Sequence, residues 1–156
     1  HTVTFIKVKG TEEIIGGYNP LIWKGPLINY EWGITKDSFI FSFKSKDDFK
    51  DPILSYVKDM NQAVLYFYTC GPNFGDCDIE IYSNNDNSKE YNFIRCKQLN
   101  YEKKIRSTDQ QFLIEDYEEK QLIASNSDDA IEWIFSSTFK DICLIEGEFG
   151  TALRAN

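Results

Sequence analysis

The stretch 13–24 reads Glu-Ile-Ile-Gly-Gly-Tyr-Asn-Pro-Leu-Ile-Trp-Lys and interrupts an apolar strand pattern with two adjacent glycines. Glycine inside a strand marks either a bulge or a place where other atoms come close to the backbone. We therefore predict tight packing at Gly16 and Gly17. The stretch ends on the Trp-Lys pair, and we expect the large side chain of Trp23 to lie in the core beside the glycines.

Three phenylalanines follow this stretch at alternating positions, Phe39, Phe41 and Phe43. A period of two places side chains on one face of a β-strand, so this strand presents three aromatic rings to a core. Because these rings are the largest apolar groups near the paired glycines, we predict that Trp23 shares one core with them.

Much of the remaining chain consists of short apolar runs separated by Gly, Pro and Asn. Such runs, without a long helical stripe before residue 127, are typical of two sheets packed face to face. We predict a mainly β fold, a two-sheet β-sandwich, with strands at 2–9, 13–18, 39–43, 53–57, 63–68, 78–82, 93–98 and 112–123. Residues 70–75 are predicted to form a tight connection in which Gly71 and Gly75 permit positive φ angles.

The C-terminal part of the chain has a different pattern. Ser127 can cap a helix, the two aspartates after it favour the positive end of a helix, and aromatic or branched residues recur every four positions from Ile131 to Phe139. We predict one short peripheral helix there. The predicted organisation is a domain over residues 1–125 and a C-terminal extension over 126–156.

Four further motifs follow the first stretch in order: Asp-Ser-Phe-Ile-Phe-Ser-Phe at 37–43, Cys-Gly-Pro-Asn-Phe-Gly at 70–75, Asp-Ile-Glu-Ile-Tyr at 78–82 and Phe-Leu-Ile-Glu-Asp-Tyr at 112–117. Together these motifs resemble the TLDc domain over residues 2–123, in the form found in fungal proteins where this domain follows a BTB adaptor region. The resemblance implies a β-sandwich with peripheral helices. Since the family's opening segment is missing ahead of His1, we expect a partial TLDc domain, incomplete at the N-terminus, in a fragment.

The resemblance also carries expectations about function. It implies no established reaction and no cofactor, but protection against oxidative stress and, in several members, binding to the vacuolar proton-pumping ATPase. We therefore expect a protein-interaction module whose partner is a pump subunit or another cytoplasmic protein. An upstream BTB-type domain is expected in the intact protein.

Composition excludes several classes of protein. The chain has 156 residues, of which 42% are apolar and 15% aromatic, which is enough for one folded domain with its own core. A net charge of −8 opposes binding to the phosphate backbone of nucleic acids. No run approaches the roughly 18 apolar residues that a membrane span needs. The one basic run, from Lys103 to Arg106, is interpreted as a solvated loop.

Residues for nucleophilic or metal chemistry are sparse. The single histidine, His1, is the first residue, and we expect that nothing nearby fixes its ring as a general base requires. Cys70 and Cys77 lack the spacing of a zinc knuckle, so we expect no metal, no disulfide and reduced thiols in the cytosol. Asp76 and Asp78 are too few ligands to indicate a site for a hard cation.

Acidic side chains are the remaining candidates for a functional site. They form two groups in the sequence, and we predict that both contribute to one partner-binding surface: Glu12, Glu13, Glu115, Asp116, Glu118 and Glu119. An acidic surface on a rigid scaffold attracts basic partners. The alternative is an enzyme, a hydrolase or an antioxidant protein, that uses these carboxylates or a thiol such as Cys70.

Overall fold

A computed structural model of the chain describes residues 1–25, 29–45, 51–67, 70–83, 91–123 and 126–136. In these ranges the chain forms ten strands, one turn of 3-10 helix at Met60–Gln62 and a helix, α1, at Ser127–Ser136. The strands are β1 (Thr2–Val8), β2 (Ile14–Asn19), β3 (Tyr30–Gly33), β4 (Phe39–Phe43), β5 (Ile53–Tyr56), β6 (Val64–Phe67), β7 (Cys70–Phe74), β8 (Ile79–Tyr82), β9 (Phe93–Arg95) and β10 (Phe112–Gln121). The predicted mainly β fold is confirmed.

The strands join into one antiparallel sheet with the order β3-β6-β7-β8-β9-β10-β1-β2-β4-β5. The long strand β10 links its two halves, because Phe112 and Leu113 pair with β9 while residues from Ile114 onward pair with β1. We call β1, β2, β4 and β5 layer A, and β3, β6, β7, β8 and β9 layer B. The two predicted sheets are therefore two layers of one continuous hydrogen-bonded sheet.

Layer A packs against layer B through a buried apolar cluster. Ile6, Ile15 and Ile40 of layer A belong to the same cluster as Phe74 and Ile81 of layer B, and all five side chains are fully buried. Alternate residues of a strand face opposite sides of the sheet, so the neighbours of these isoleucines point away from layer B.

That opposite face of layer A is also buried. Its side chains form a second cluster with Ala130 and Ile134 of α1, and the layer A members are Val3, Phe5, Ile14, Tyr18, Phe39, Phe41 and Phe43. Layer A is therefore covered on both faces, by layer B on one side and by α1 on the other. This arrangement explains why every residue of β2 and of β4 is buried.

The paired glycines of β2 allow close contacts on both faces of layer A. β2 pairs in regular register with β1 and β4 through both positions, so the glycines do not form a bulge. A Cβ atom on Gly17 would lie 2.7 Å from the ring of Phe74 in layer B, and one on Gly16 would lie 2.6 Å from the ring of Phe41, on the face that packs against α1. The ring of Phe74 thus occupies the volume that a side chain at position 17 would need.

Trp23 lies in a different cluster from the phenylalanines of β4. It is half-buried, and its ring packs edge-on against Phe74, with 5.7 Å between ring centroids, and against Tyr66, with 6.0 Å. These two rings belong to layer B, whereas the β4 phenylalanines face α1. The prediction that Trp23 shares their core is wrong, because beyond the end of β2 the chain has reached layer B.

Two further elements differ from the sequence prediction. β3 was not among the predicted strands, and it forms by pairing with β6, about thirty residues further along the chain. Residues 70–75 were predicted as a connection, but the part up to Phe74 forms β7 and pairs with β6 and β8. Gly75 does turn the chain, with a φ angle of +64°. The prediction of a positive φ is wrong at Gly71, which lies within β7, where an added Cβ would lie 3.4 Å from Ile81.

Helix α1 begins one residue after its cap. The side chain of Asn126, rather than that of Ser127, accepts a hydrogen bond from the N–H of Asp129 at 2.9 Å. Ile131 and Phe135 of the predicted apolar stripe are only partly buried against layer A, whereas the buried residues are Ala130 and Ile134, one position earlier in each turn. Phe139 lies outside the described residues. The boundary between residues 125 and 126 stays a prediction.

Replacing Gly17 by alanine should destabilise the fold. The added Cβ would meet the buried ring of Phe74, and overpacking of this kind costs roughly 1–3 kcal/mol. The measurement is urea unfolding of Gly17→Ala beside Gly25→Ala, a position where an added Cβ would meet no atom within 4 Å. Equal unfolding midpoints for the two variants would contradict the close approach of the layers.

Shortening Ile134 tests whether α1 unfolds together with the sheet. This side chain is 4% exposed, so Ile134→Ala should lower the free energy of unfolding of the whole domain by roughly 2–5 kcal/mol. Glu132→Ala, an exposed position on the same helix, should change it by less than about 0.5 kcal/mol. If the β-sheet signal in circular dichroism keeps its midpoint in Ile134→Ala, the helix is a separate extension.

Candidate partner-binding surface

The hairpin between β1 and β2 has a rigid tip. The hydroxyl of Thr11 donates to the carbonyl of Val8 and accepts from the N–H of Glu13, both at 3.1 Å. The N–H of Lys9 donates to the carbonyl of Leu113 at 3.0 Å, which ties the tip to the start of β10. The two acidic groups of the sequence, around residues 12 and 115, therefore meet at one corner of layer A.

Three carboxylates are exposed at this corner, those of Glu12, Glu115 and Asp116. The Nζ atom of Lys7 lies 2.8 Å from Glu115, and Lys7 is in register with Asp116 across the ladder. The hydrogen bond from Lys7, with a smaller contribution from the N–H of Gly10, lowers the pKa of Glu115. Glu115 is therefore ionised at neutral pH, and the three carboxylates of the corner outnumber the two lysines beside them, Lys7 and Lys9.

Glu13 is turned away from this corner into a structural ion pair. Its carboxylate lies 2.7 Å from Nε of Arg106, and both side chains are mostly buried. The guanidinium of Arg106 also lies 3.9 Å above the ring centroid of Phe112, and the adjacent Ile105 is fully buried. The interpretation of this basic run as a solvated loop is therefore wrong at Ile105, which is buried in the core, and at Arg106, which contacts Glu13 just before β2 and Phe112 of β10.

Glu118 and Glu119 lie further along β10, on opposite faces. Glu118 is in register with Phe5, whose side chain faces α1, and its carboxylate lies 3.7 Å from Lys120. Glu119 is in register with Thr4 and faces the other side, because it is two residues from the core residue Tyr117. The structure brings Glu12, Glu115 and Asp116 together and separates Glu118 from Glu119.

A groove of about 290 Å³ lies beside Glu119. Its lining includes Trp23, Lys24, Tyr66 and Pro72. Partial desolvation beside these groups raises the pKa of Glu119, although the residue as a whole is exposed. Lys24 pairs with Glu31 at 2.5 Å rather than with Glu119. Among the described residues that line the groove, Glu119 is the only carboxylate. A hydrolase that cleaves glycosides with carboxylates uses two of them, and the described lining holds one.

Asp78 is held by the backbone. Its fully buried carboxylate accepts hydrogen bonds from the N–H groups of Leu99, Asn100 and Tyr101 at 2.9 to 3.1 Å. Burial raises the pKa of Asp78, and these N–H groups oppose the rise. N–H dipoles around both oxygens stabilise an anion and oppose a cation. Across the described ranges, no group of three or more His, Cys, Asp or Glu is placed to hold a metal ion.

Three of the four cysteines, Cys70, Cys77 and Cys96, lie in the described residues, and none of these three forms a disulfide there. Burial, reinforced by the neighbouring charge of Glu80, raises the pKa of Cys77 to about 11, and burial also raises the pKa of Cys96. Both shifts disfavour the thiolate that a thiol enzyme needs. Cys143 lies outside the described residues.

His1 has a defined neighbour. Its Nδ1 atom lies 2.9 Å from the hydroxyl of Tyr18, so the expectation that nothing fixes its ring is wrong. Burial raises the pKa of Tyr18, with Asp37 and Asp129 adding to the rise, and the hydroxyl therefore stays protonated at neutral pH. The contact anchors the first residue of the chain to β2.

Comparison with known proteins gives one match. A family model of the TLDc domain matches residues 1–118, which include all ten strands except the last part of β10. No curated protein and no solved structure matches the chain. None of the helices that the structure describes has the length and apolar character needed to cross a membrane.

The thiol of Cys77 should react slowly at neutral pH. A pKa of about 11 makes its thiolate fraction at pH 7 roughly 100-fold smaller than that of an unperturbed thiol. The measurement is alkylation by iodoacetamide, followed by peptide mass spectrometry between pH 7 and 11, with glutathione as the reference. The rate at Cys77 should keep rising towards pH 11, and a plateau below pH 8 would instead indicate an activated thiol.

Proposed function

The chain belongs to the TLDc domain family, and from this premise we propose that it acts as a non-catalytic protein-interaction module. The observation that carries the proposal is the exposure of Glu12, Glu115 and Asp116 at one corner of layer A, on a backbone fixed by hydrogen bonds. Fixed charge on a rigid backbone attracts a complementary partner without the entropic cost of ordering a loop. We call these three residues the acidic corner.

The roles of the other reactive groups support a non-catalytic function. Glu13 is paired with Arg106, and Asp78 is bonded to three backbone N–H groups. Cys77 and Cys96 have raised pKa values. Each of these groups contributes to the fold in a way that leaves it unsuited to act as a base or a nucleophile.

The partner that suits the acidic corner has a basic surface. Within the family premise, we propose that this partner is a subunit of the vacuolar proton-pumping ATPase, contacted from the cytoplasm, and that the protein takes part in resistance to oxidative stress. An upstream BTB-type domain would supply a second adaptor function in the intact protein. Since exposed charges are screened by salt, the association should weaken as ionic strength rises.

Charge reversal at the acidic corner tests the proposal. We expect Glu12→Lys/Asp116→Lys to abolish capture of the purified vacuolar proton-pumping ATPase, because both side chains are exposed and neither is needed by the core. The control is Glu102→Lys/Glu132→Lys, which changes the net charge equally at exposed positions away from the corner. Glu13 is left intact, since its reversal would break the ion pair with Arg106.

The outcomes separate the hypotheses. Loss of binding in the corner variant alone supports the acidic corner as the contact. Retention of binding by a folded corner variant, or equal loss in both variants, would remove the assigned surface. Turnover of a substrate that is abolished by Glu119→Gln or Cys70→Ser would establish the enzyme alternative in its place.

A further inference from the structure

The face of layer B that points away from layer A is rich in apolar side chains. Residues directly opposite each other in an antiparallel ladder point to the same side, and the ladder places six apolar residues on this face: Trp32, Leu65, Phe67, Tyr82, Phe93 and Leu113. None of the six belongs to a buried cluster of the described residues. We call them the outer face of layer B.

This face is more exposed than its counterpart on layer A. Phe67 is 39% exposed and Leu113 is 42% exposed, and Tyr30, which pairs with Phe67 at the end of the sheet, is 59% exposed. On layer A the corresponding rings of β4 are fully buried beneath α1. The other four residues of the outer face are half-buried. The same molecule therefore has one aromatic sheet face buried beneath a helix and another that is partly exposed over the residues described.

The middle of the outer face carries a balanced pair of charges. Glu80 and Arg95 are in register, and the guanidinium Nε donates to the carboxylate at 3.0 Å. Arg95 also lies over the ring of Tyr82, 5.9 Å from its centroid. Because the two charges compensate each other, the face presents apolar groups without a net charge of its own.

The size of the face favours a single helix as its occupant. Strands are about 4.8 Å apart, so the six strands from β3 to β10 span roughly 24 Å, and two or three side chains along each strand span roughly 7–14 Å. The area enclosed by these two lengths is well below the roughly 800 Å² that each partner buries in a stable dimer. An α-helix is about 10 Å wide, and sixteen residues extend about 24 Å.

We propose that the outer face of layer B binds an amphipathic α-helix of a protein partner, with the apolar side of the helix on the sheet and a basic polar side. The basic character follows from charge complementarity with a chain whose net charge is −8. The apolar contact resembles the one that α1 makes with layer A. This surface is separate from the acidic corner and does not depend on the function proposed for it.

A model peptide tests the inference directly. The probe is an 18-residue peptide of leucine and lysine arranged with helical periodicity. The control is a scrambled peptide of the same composition. The affinity of each peptide for the full chain is measured by calorimetry at physiological salt. We expect Phe67→Gln/Leu113→Gln to weaken binding of the helical peptide at least tenfold. The control Ile22→Gln/Met60→Gln, at exposed apolar positions outside the face, should change it less than twofold.

Two results would overturn the inference. Equal affinity for the scrambled peptide, or equal weakening by both double variants, would mean that net charge alone attracts the peptide. Sedimentation that shows a dimer of the wild type, converted to a monomer by Phe67→Gln/Leu113→Gln, would identify a second copy as the occupant. Circular dichroism of both variants confirms that the fold is intact in each comparison.

Discussion

The contact between the ring of Phe74 and the backbone of Gly17 sets the distance between the two layers. With no side chain at position 17, the ring packs directly on β2, and Trp23 packs edge-on against the same ring at the boundary of the core. The continuous strand β10 joins the layers on one side. The rest of the fold is arranged around layer A, whose two faces are both buried, so only its edges and corners are available to bind a partner.

This burial restricts the surfaces on which function can lie. The hairpin tip projects from one corner of layer A, and its hydrogen bonds to β10 gather exposed carboxylates from two distant parts of the sequence. Charges nearer the core, such as Glu13 and Arg106, stabilise the connection instead. Layer B, covered on one face only in the residues described, leaves the other face for contacts with a different molecule.

The local pattern of the sequence predicted most of the strands. It also predicted that the three phenylalanines of β4 share one buried face, because alternation of period two determines which residues lie on the same side of a strand. The same rule, applied to 112–123, would have placed Glu118 and Glu119 on opposite faces. Local pattern could not place Trp23 in a layer, nor find β3, because both depend on contacts with β6 and β7 far along the chain. The burial of Arg106 likewise depends on distant Glu13.

Hydrogen–deuterium exchange of the chain, alone and with saturating vacuolar proton-pumping ATPase, tests the central claim that the acidic corner is the contact. The account predicts slower amide exchange at residues 9–13 and 113–116 in the complex. The amides that surround Asp78, at 99–101, should exchange at the same rate in both samples, because they are bonded to a buried carboxylate. Unchanged exchange at the hairpin tip in the bound sample would contradict the account.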